Sequence, residues 1–431
     1  MSPGDAAYRP DAGDQPRLAR RLGLRDAIVM GLGSMIGAGV FAAFTPAAAA
    51  AGSGLLVGLA LAAGVAWANA TSSAQLAAQF PESGGTNVYG RECLGESWGF
   101  AAGWAFVVGK TASCAAMAIT AATYALGGEA RAAQVVGLGV VGALSVVLTR
   151  GITKTARLAR VLLTVTLVCL LITALVVVAF TRTWQSPITG LGSATAYGIL
   201  QSAGLLFFAF AGYARIATLG EEVRAPAVTI PRAITRALGL VIALYAALAL
   251  LLLVTIGAQG IAGSPLPLLA AAQAADVSWV GVFLRIGATV AAVGALLGLL
   301  SGVGRTVLAM ARRGDLPRRL AAVDPIHQVP AVAQLTVAGA VAALVILTDL
   351  RHAIGFSSFG VLLYYAIANA SAWTQPAEHR RWPRWIQAAG LLGCLVLAAT
   401  LPWGSVVAGA AVVGIGVAGR RWLQHSPAGG G

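Results

Sequence analysis

Glycine stands at positions 31, 33, 37 and 39 of the stretch GLGSMIGAGVF, inside an apolar run from Ala27 to Ala51 that is long enough to cross a membrane. Each glycine in a water-exposed helix interior costs about 0.8 to 1 kcal/mol relative to alanine, so the cluster weakens the helix just where it would cross the bilayer. Two uses fit the pattern. One is close packing of helices through small residues. The other is a helix that breaks so that freed peptide groups can hold a solute. In the second case the half-helix after the break presents unpaired N–H groups at its positive end, and Gly37, Ala38 and Gly39 leave room for a carboxylate to reach them. The carbonyls before the break, over Ser34, Met35 and Ile36, would accept from an ammonium group. Ser34 could add a hydroxyl, although serine in a helix more commonly bonds its own backbone.

The elements that would position these groups follow from composition. With 431 residues, 58% hydrophobic and 10% charged, the chain has too little polar surface to cover a soluble globule. A net charge of +14 suggests nucleic acid only if the cations form a face on a folded domain, whereas here they fall between apolar runs. The polar, arginine-rich residues 1–25 read as a short cytosolic tail rather than a signal peptide. Cys93, Cys114, Cys169 and Cys394 form no C-x-x-C pair, and the four histidines fall at or beyond segment ends. No metal site and no cofactor is therefore expected.

Apolar runs lie near residues 26–50, 54–80, 98–127, 133–149, 156–181, 195–221, 231–257, 278–311, 330–348, 352–373, 385–400 and 403–420. In hydrocarbon a backbone must satisfy its own hydrogen bonds, and these runs are too long for barrel strands. The fold class predicted is an all-α integral membrane protein with 12 transmembrane helices, numbered here as spans. With the N-terminus inside, 23 lysines and arginines fall on cytoplasmic segments or their margins and four on the outer side, which places both termini in the cytoplasm.

Span 6 carries a second interruption, FFAFAGYARIATLGEEV from Phe207 to Val223, where Gly212 sits among aromatics. Five helices separate it from the first, and an odd offset reverses topology. Corresponding interruptions in two halves point to an inverted-repeat transporter with its site at the midplane. The expected organisation is a first repeat over 26–181, a second over 195–373, spans 11 and 12 over 385–420, and a cytosolic tail over 421–431.

Two cations lie inside spans, Lys110 and Arg215. A cation at the bilayer centre costs about 2.5 kcal/mol or more. Lys110 is read either as a proton-coupling group or fixed charge beside a cavity, or as a structurally paired or snorkelling lysine. Glu221 and Glu222 close span 6 and are expected near Arg91, Arg305 and Arg312, as an inner-gate latch or as a solvated helix end.

Four blocks in order resemble the amino acid-polyamine-organocation superfamily, and within it bacterial permeases similar to the cationic amino acid transporter branch. They are GLGSMIGAGVF, FPESGGTNVYGRECLGESWGFAAGW from Phe80, the segment from Phe207 to Ile234, and GRTVLAMARRGDLP from Gly304. The resemblance covers roughly residues 24 to 420 and implies a 5+5 inverted repeat with helices 1 and 6 broken, plus helices 11 and 12. It places a substrate carboxylate on Ala38 and Gly39, and the ammonium on the carbonyls of Met35, Phe208 and Ala211. Phe208 becomes an aromatic gate, with Gly212 and Tyr213 beside the cavity. It also reads PESGGTNVYG, Pro81 to Gly90, as a re-entrant segment forming a turn rather than a helix. Some proton-coupled relatives carry a lysine on span 5 where this chain has Thr166, so coupling by that residue does not transfer and Lys110 is the candidate to replace it.

Ala214 stands where some relatives are acidic, which disfavours cationic substrates. Neutral amino acids are the expected class, with anionic ones possible if Arg215 faces the cavity. The function predicted is secondary active uptake of amino acids across the plasma membrane by alternating access, coupled to protons by analogy, with sodium possible. An amino acid/polyamine exchanger is the alternative, and a channel is less supported, since the few intramembrane charges make no ring. Neither an enzyme nor a nucleic-acid binder is indicated.

Overall fold

Hydrocarbon offers a peptide group no partner, so an apolar chain that enters it must satisfy its backbone within each segment. The computed structural model describes residues 22–81, 85–151, 156–219 and 222–425 and is nearly all helical. Ten helical stretches are long and apolar enough to cross a membrane, and the shorter apolar helices Ala331–Leu347 and Arg384–Ala399 bring the number among the described residues to twelve.

Span 1 comes in three pieces, Leu24–Met35, Gly39–Ala42 and Phe44–Ala51. Spans 2 to 5 are Leu55–Gln79, Glu96–Leu126, Ala130–Thr149 and Ala156–Phe180. Span 6, Ala196–Phe210, tightens into a 3₁₀ turn at Ala211–Tyr213 before Ala214–Ala217. Spans 7 to 10 are Pro226–Gly263, Gly281–Arg312, Ala331–Leu347 and Leu350–Thr374, and spans 11 and 12 are Arg384–Ala399 and Trp403–His425. Span 7 kinks at Gly257, whose φ of 66° and missing Cβ admit the Gln185 side chain.

One expectation is corrected. The segment from Pro81 was read as a turn through Gly90, but Thr86–Leu94 is a helix, and among the described residues the turn reaches only to Gly85. The helix starts there because Gly85 holds a φ of 59° and the Thr86 N–H donates to the Tyr364 hydroxyl at 3.1 Å. That cap is supplied from span 10, far along the sequence.

Span 3 forms the centre, with 94% of its most apolar stretch buried, against 17% for span 12 at the edge. Spans 3 and 10 meet backbone to backbone. A Cβ on Gly109 would lie 2.9 Å from the Ser357 carbonyl oxygen, and one on Gly360 would lie 2.8 Å from that of Ala105. Small residues thus perform in lipid what apolar burial performs in water. Their closeness also brings Lys110, next to Gly109, beside the tyrosines of span 10.

Candidate functional site

Span 1 loses its helix after Met35. Ile36 takes ψ 39°, residues 36–38 are non-helical, and the helix restarts at Gly39. Among the described residues, the N–H groups of Gly37, Ala38 and Gly39 make no backbone hydrogen bond. Span 6 is interrupted more mildly, by the single 3₁₀ turn over Ala211–Tyr213.

The two interruptions touch. A Cβ on Gly39 would fall 2.6 Å from the Ala209 Cα, and one on Gly212 would fall 2.5 Å from the Ser34 carbonyl group. Gly37 faces Ala295 of span 8, where an added Cβ would meet a methyl at 2.6 Å. The glycines therefore serve close packing and interruption together.

Side chains from three other spans reach the carbonyls at the breaks. Tyr245 of span 7 directs its hydroxyl at the Met35 carbonyl, 2.6 Å away, and at that of Ala209, 3.1 Å away. Lys110 Nζ donates to the Ala211 carbonyl at 3.1 Å, and the Tyr365 hydroxyl approaches the same oxygen at 3.4 Å. Two of the three carbonyls expected to hold an ammonium group thus already have donors within the chain.

A cavity of about 360 Å³ ends at these breaks. Its walls are the first half of span 1 (Met30, Ser34), the helix Thr86–Leu94 (Asn87, Val88) and span 3 (Gly103, Phe106, Lys110, Met117). Span 6 from Ala211 onward and span 8 with Arg313 just beyond it line most of the rest, joined by Ala159 of span 5 and Tyr364 of span 10. The second half of span 1 and the part of span 6 before Ala211 contribute nothing to the lining. On that far side the Tyr124 hydroxyl donates to the Phe41 carbonyl, and the two rings meet edge to face at 5.4 Å. The cavity is therefore one-sided, reaching from the breaks toward the end of the bundle where span 1 begins.

Of the residues singled out in the sequence, Ser34, Lys110, Ala211, Gly212, Arg215 and Glu222 line this cavity. Ser34 spends its hydroxyl on the Met30 carbonyl at 2.9 Å, the arrangement common for serine in helices. Met35, Ile36, Gly37, Ala38 and Gly39 are packed behind the lining. Phe208 is buried, and Tyr213 stacks on Tyr365 at 4.9 Å. Thr166 lies away from the cavity lining, with its hydroxyl on the Leu162 carbonyl at 2.9 Å. Glu221 lies outside the described residues.

Arg305 shares the cavity with Glu222, whereas Arg91 turns elsewhere. Arg91 pairs with Asp315 at 2.7 Å and with Glu96, while Arg420 of span 12 reaches Asp315 at 2.9 Å and Glu96 at 3.5 Å. Asp315, just beyond span 8, is only 2% exposed. The sequence reading missed this cluster, as it missed Tyr245 and Tyr365. Asp315 stands in the GDLP end of the block that begins at Gly304.

The family described as amino acid permease matches residues 22–417 of the chain. The chain belongs to the amino acid permease family. It is similar to an uncharacterized transporter of Mycobacterium tuberculosis, 58% identical over 403 residues that cover 93% of this permease and 90% of the relative. A branched-chain amino acid permease of Bacillus subtilis is 27% identical, with 90% of each chain covered. A vacuolar cationic amino acid transporter of Arabidopsis thaliana is 29% identical over 85% of this permease and 61% of its own length. The permease is thus a multi-pass membrane transporter of the amino acid class and not an enzyme.

Proposed function

We propose that this permease takes up amino acids across the plasma membrane by alternating access, with both termini in the cytoplasm and a proton as coupling ion. The observation that carries the reading is the bond from Lys110 Nζ to the Ala211 carbonyl at the inner end of a one-sided cavity. A protonatable group at the junction of a broken helix and a cavity can couple its proton to the state of that helix. The repeats over 26–181 and 195–373 supply the two states, spans 1, 2, 6 and 7 rocking against spans 3, 4, 8 and 9. In this form the cavity runs from the breaks toward the end of the bundle where span 1 begins.

Substrate carboxylate at the N–H groups of Gly37, Ala38 and Gly39 requires spans 1 and 6 to part at Gly39 and Gly212, where their backbones now touch. Phe208 then closes over the bound molecule. Relatives named for branched-chain and for cationic amino acids leave the class open. Ala214 stands where some relatives are acidic, which favours neutral and anionic side chains over cationic ones.

Proteoliposome uptake with an imposed pH or sodium gradient tests the reading. Accumulation of an amino acid driven by inward protons is expected, with acceleration of labelled entry by preloaded substrate. Uptake driven by sodium alone would remove the proton, and entry unaffected by preloading would remove the carrier.

A further inference from the structure

We infer that the cavity selects amino acids whose side chain carries a second carboxylate. The inference rests on the permease reading above and narrows its substrate class. Among the described residues the lining holds four cationic side chains, Lys110, Arg215, Arg305 and Arg313, and one carboxylate, Glu222. A concave wall of one predominant sign, bounded by apolar helices, focuses its field into the space between and concentrates ions of the opposite sign.

The same end of the bundle shows what the chain does with arginines that only hold structure together. Arg91 and Arg420 are each set against Asp315 and Glu96. The arginines of the cavity are treated differently. Neither Arg215 nor Arg305 has a carboxylate within 4.0 Å among the described residues, and Arg313 donates to a neutral amide, Asn87 Oδ1, at 3.0 Å. One pair of arginines is matched by two acids, whereas Glu222 is the single described carboxylate among the four cations of the cavity, so its lining keeps an excess of positive charge.

Position decides how it would be used. Arg215 follows Ala211 by four residues, a rise of about 6 Å along a regular helix from the carbonyl that Lys110 contacts to the next cation-bearing position of the wall. The carbon chain of an acidic amino acid spans that length. With Lys110 already donating to the Ala211 carbonyl, the inner end of the cavity offers positive charge where a zwitterion alone would want acceptors. Carrying the acidic amino acid together with a proton would also cancel the added negative charge.

The test uses the purified full chain in proteoliposomes, measuring counterflow of labelled glutamate, leucine and arginine. Glutamate is expected to exchange best, and Arg215→Gln to raise its KM by ~10-fold or more, equivalent to about 1.4 kcal/mol. Leucine exchange, where detectable, should move less than glutamate exchange, and Arg215→Lys should restore most of the glutamate affinity. Leucine or arginine exchanging while glutamate does not would overturn the inference and leave the permease reading standing. If the chain exchanges none of a full set of amino acids, the permease reading fails and takes the inference with it. Should Arg215→Gln not fold, thermal stabilisation of the unaltered chain by glutamate over leucine supports the inference, and the reverse order overturns it.

Discussion

Lys110 Nζ stands 3.1 Å from the carbonyl oxygen of Ala211, so a cation from span 3 fills the acceptor that the interruption of span 6 sets free. Each party solves the other's problem. A carbonyl released from a helix in hydrocarbon needs a donor, and an ammonium at that depth needs an acceptor. The Tyr365 hydroxyl, at 3.4 Å, is the weaker second partner.

Lys110→Met should therefore separate coupling from carriage. The side chain keeps its length and apolar stem but loses its proton and its donor. Counterflow is expected to persist at reduced rate, while accumulation driven by a pH gradient falls to the level of simple equilibration. Measuring both in the same vesicles checks this. Concentrative uptake with an unchanged pH profile in the variant would take Lys110 out of the mechanism.

What the sequence made legible was local, and what it hid was distant. Hydropathy and the glycines at 31, 33, 37 and 39 marked both the crossing and its break, because a helix in lipid must declare its length and its weak point in consecutive residues. Lys110 was conspicuous as a charge in an apolar run. Its partner was not, since 101 residues separate it from Ala211. Arg91 was expected near Glu222 but found Asp315, 224 residues away, because only tertiary packing chooses among several arginines and several acids of the same end. The helix Thr86–Leu94 was hidden for the same reason, since the hydroxyl that takes the Thr86 N–H belongs to Tyr364, 278 residues away.

The glycines of the breaks should not be equivalent. Gly39→Ala sets a methyl 2.6 Å from the Ala209 Cα, and Gly212→Ala sets one 2.5 Å from the Ser34 carbonyl group, both backbone atoms that cannot swing aside. Overpacking of this kind costs about 1 to 3 kcal/mol. Gly33 has nothing within 4 Å, so Gly33→Ala should be neutral or slightly stabilising. Thermal unfolding in detergent, with transport on the same samples, should rank Gly33→Ala well above the other two. Equal stability and activity across the three would refute the packing role.

Asp315→Asn should be among the most damaging surface-end changes. It removes a 2%-exposed carboxylate shared by Arg91 and Arg420 and leaves two mostly buried guanidinium groups with Glu96, itself 64% exposed, as their remaining acid. Breaking a buried pair by deleting one partner costs about 3 to 5 kcal/mol. The variant is expected to unfold at clearly lower temperature, and the double variant Asp315→Asn with Arg91→Gln to recover part of the loss. Additive losses would show that Arg91 and Asp315 do not act as a pair.

Tyr245 offers a test of how the two breaks are joined. Its hydroxyl lies on the Met35 carbonyl of span 1 and on the Ala209 carbonyl of span 6, while its ring packs on Phe210 at 5.2 Å. One proton serves both acceptors, and the 2.6 Å contact marks Met35 as the stronger one. Tyr245→Phe keeps the ring and removes the shared donor, leaving buried acceptors short by about 1 to 3 kcal/mol. Tyr365→Phe is the matched control, because the Ala211 carbonyl keeps Lys110 when that hydroxyl goes. Tyr245→Phe is expected to lower both thermal stability and exchange rate more than Tyr365→Phe, since it loosens spans 1 and 6 from span 7 together. The opposite ranking, or no effect of either, would show that the paired carbonyls are held by packing alone.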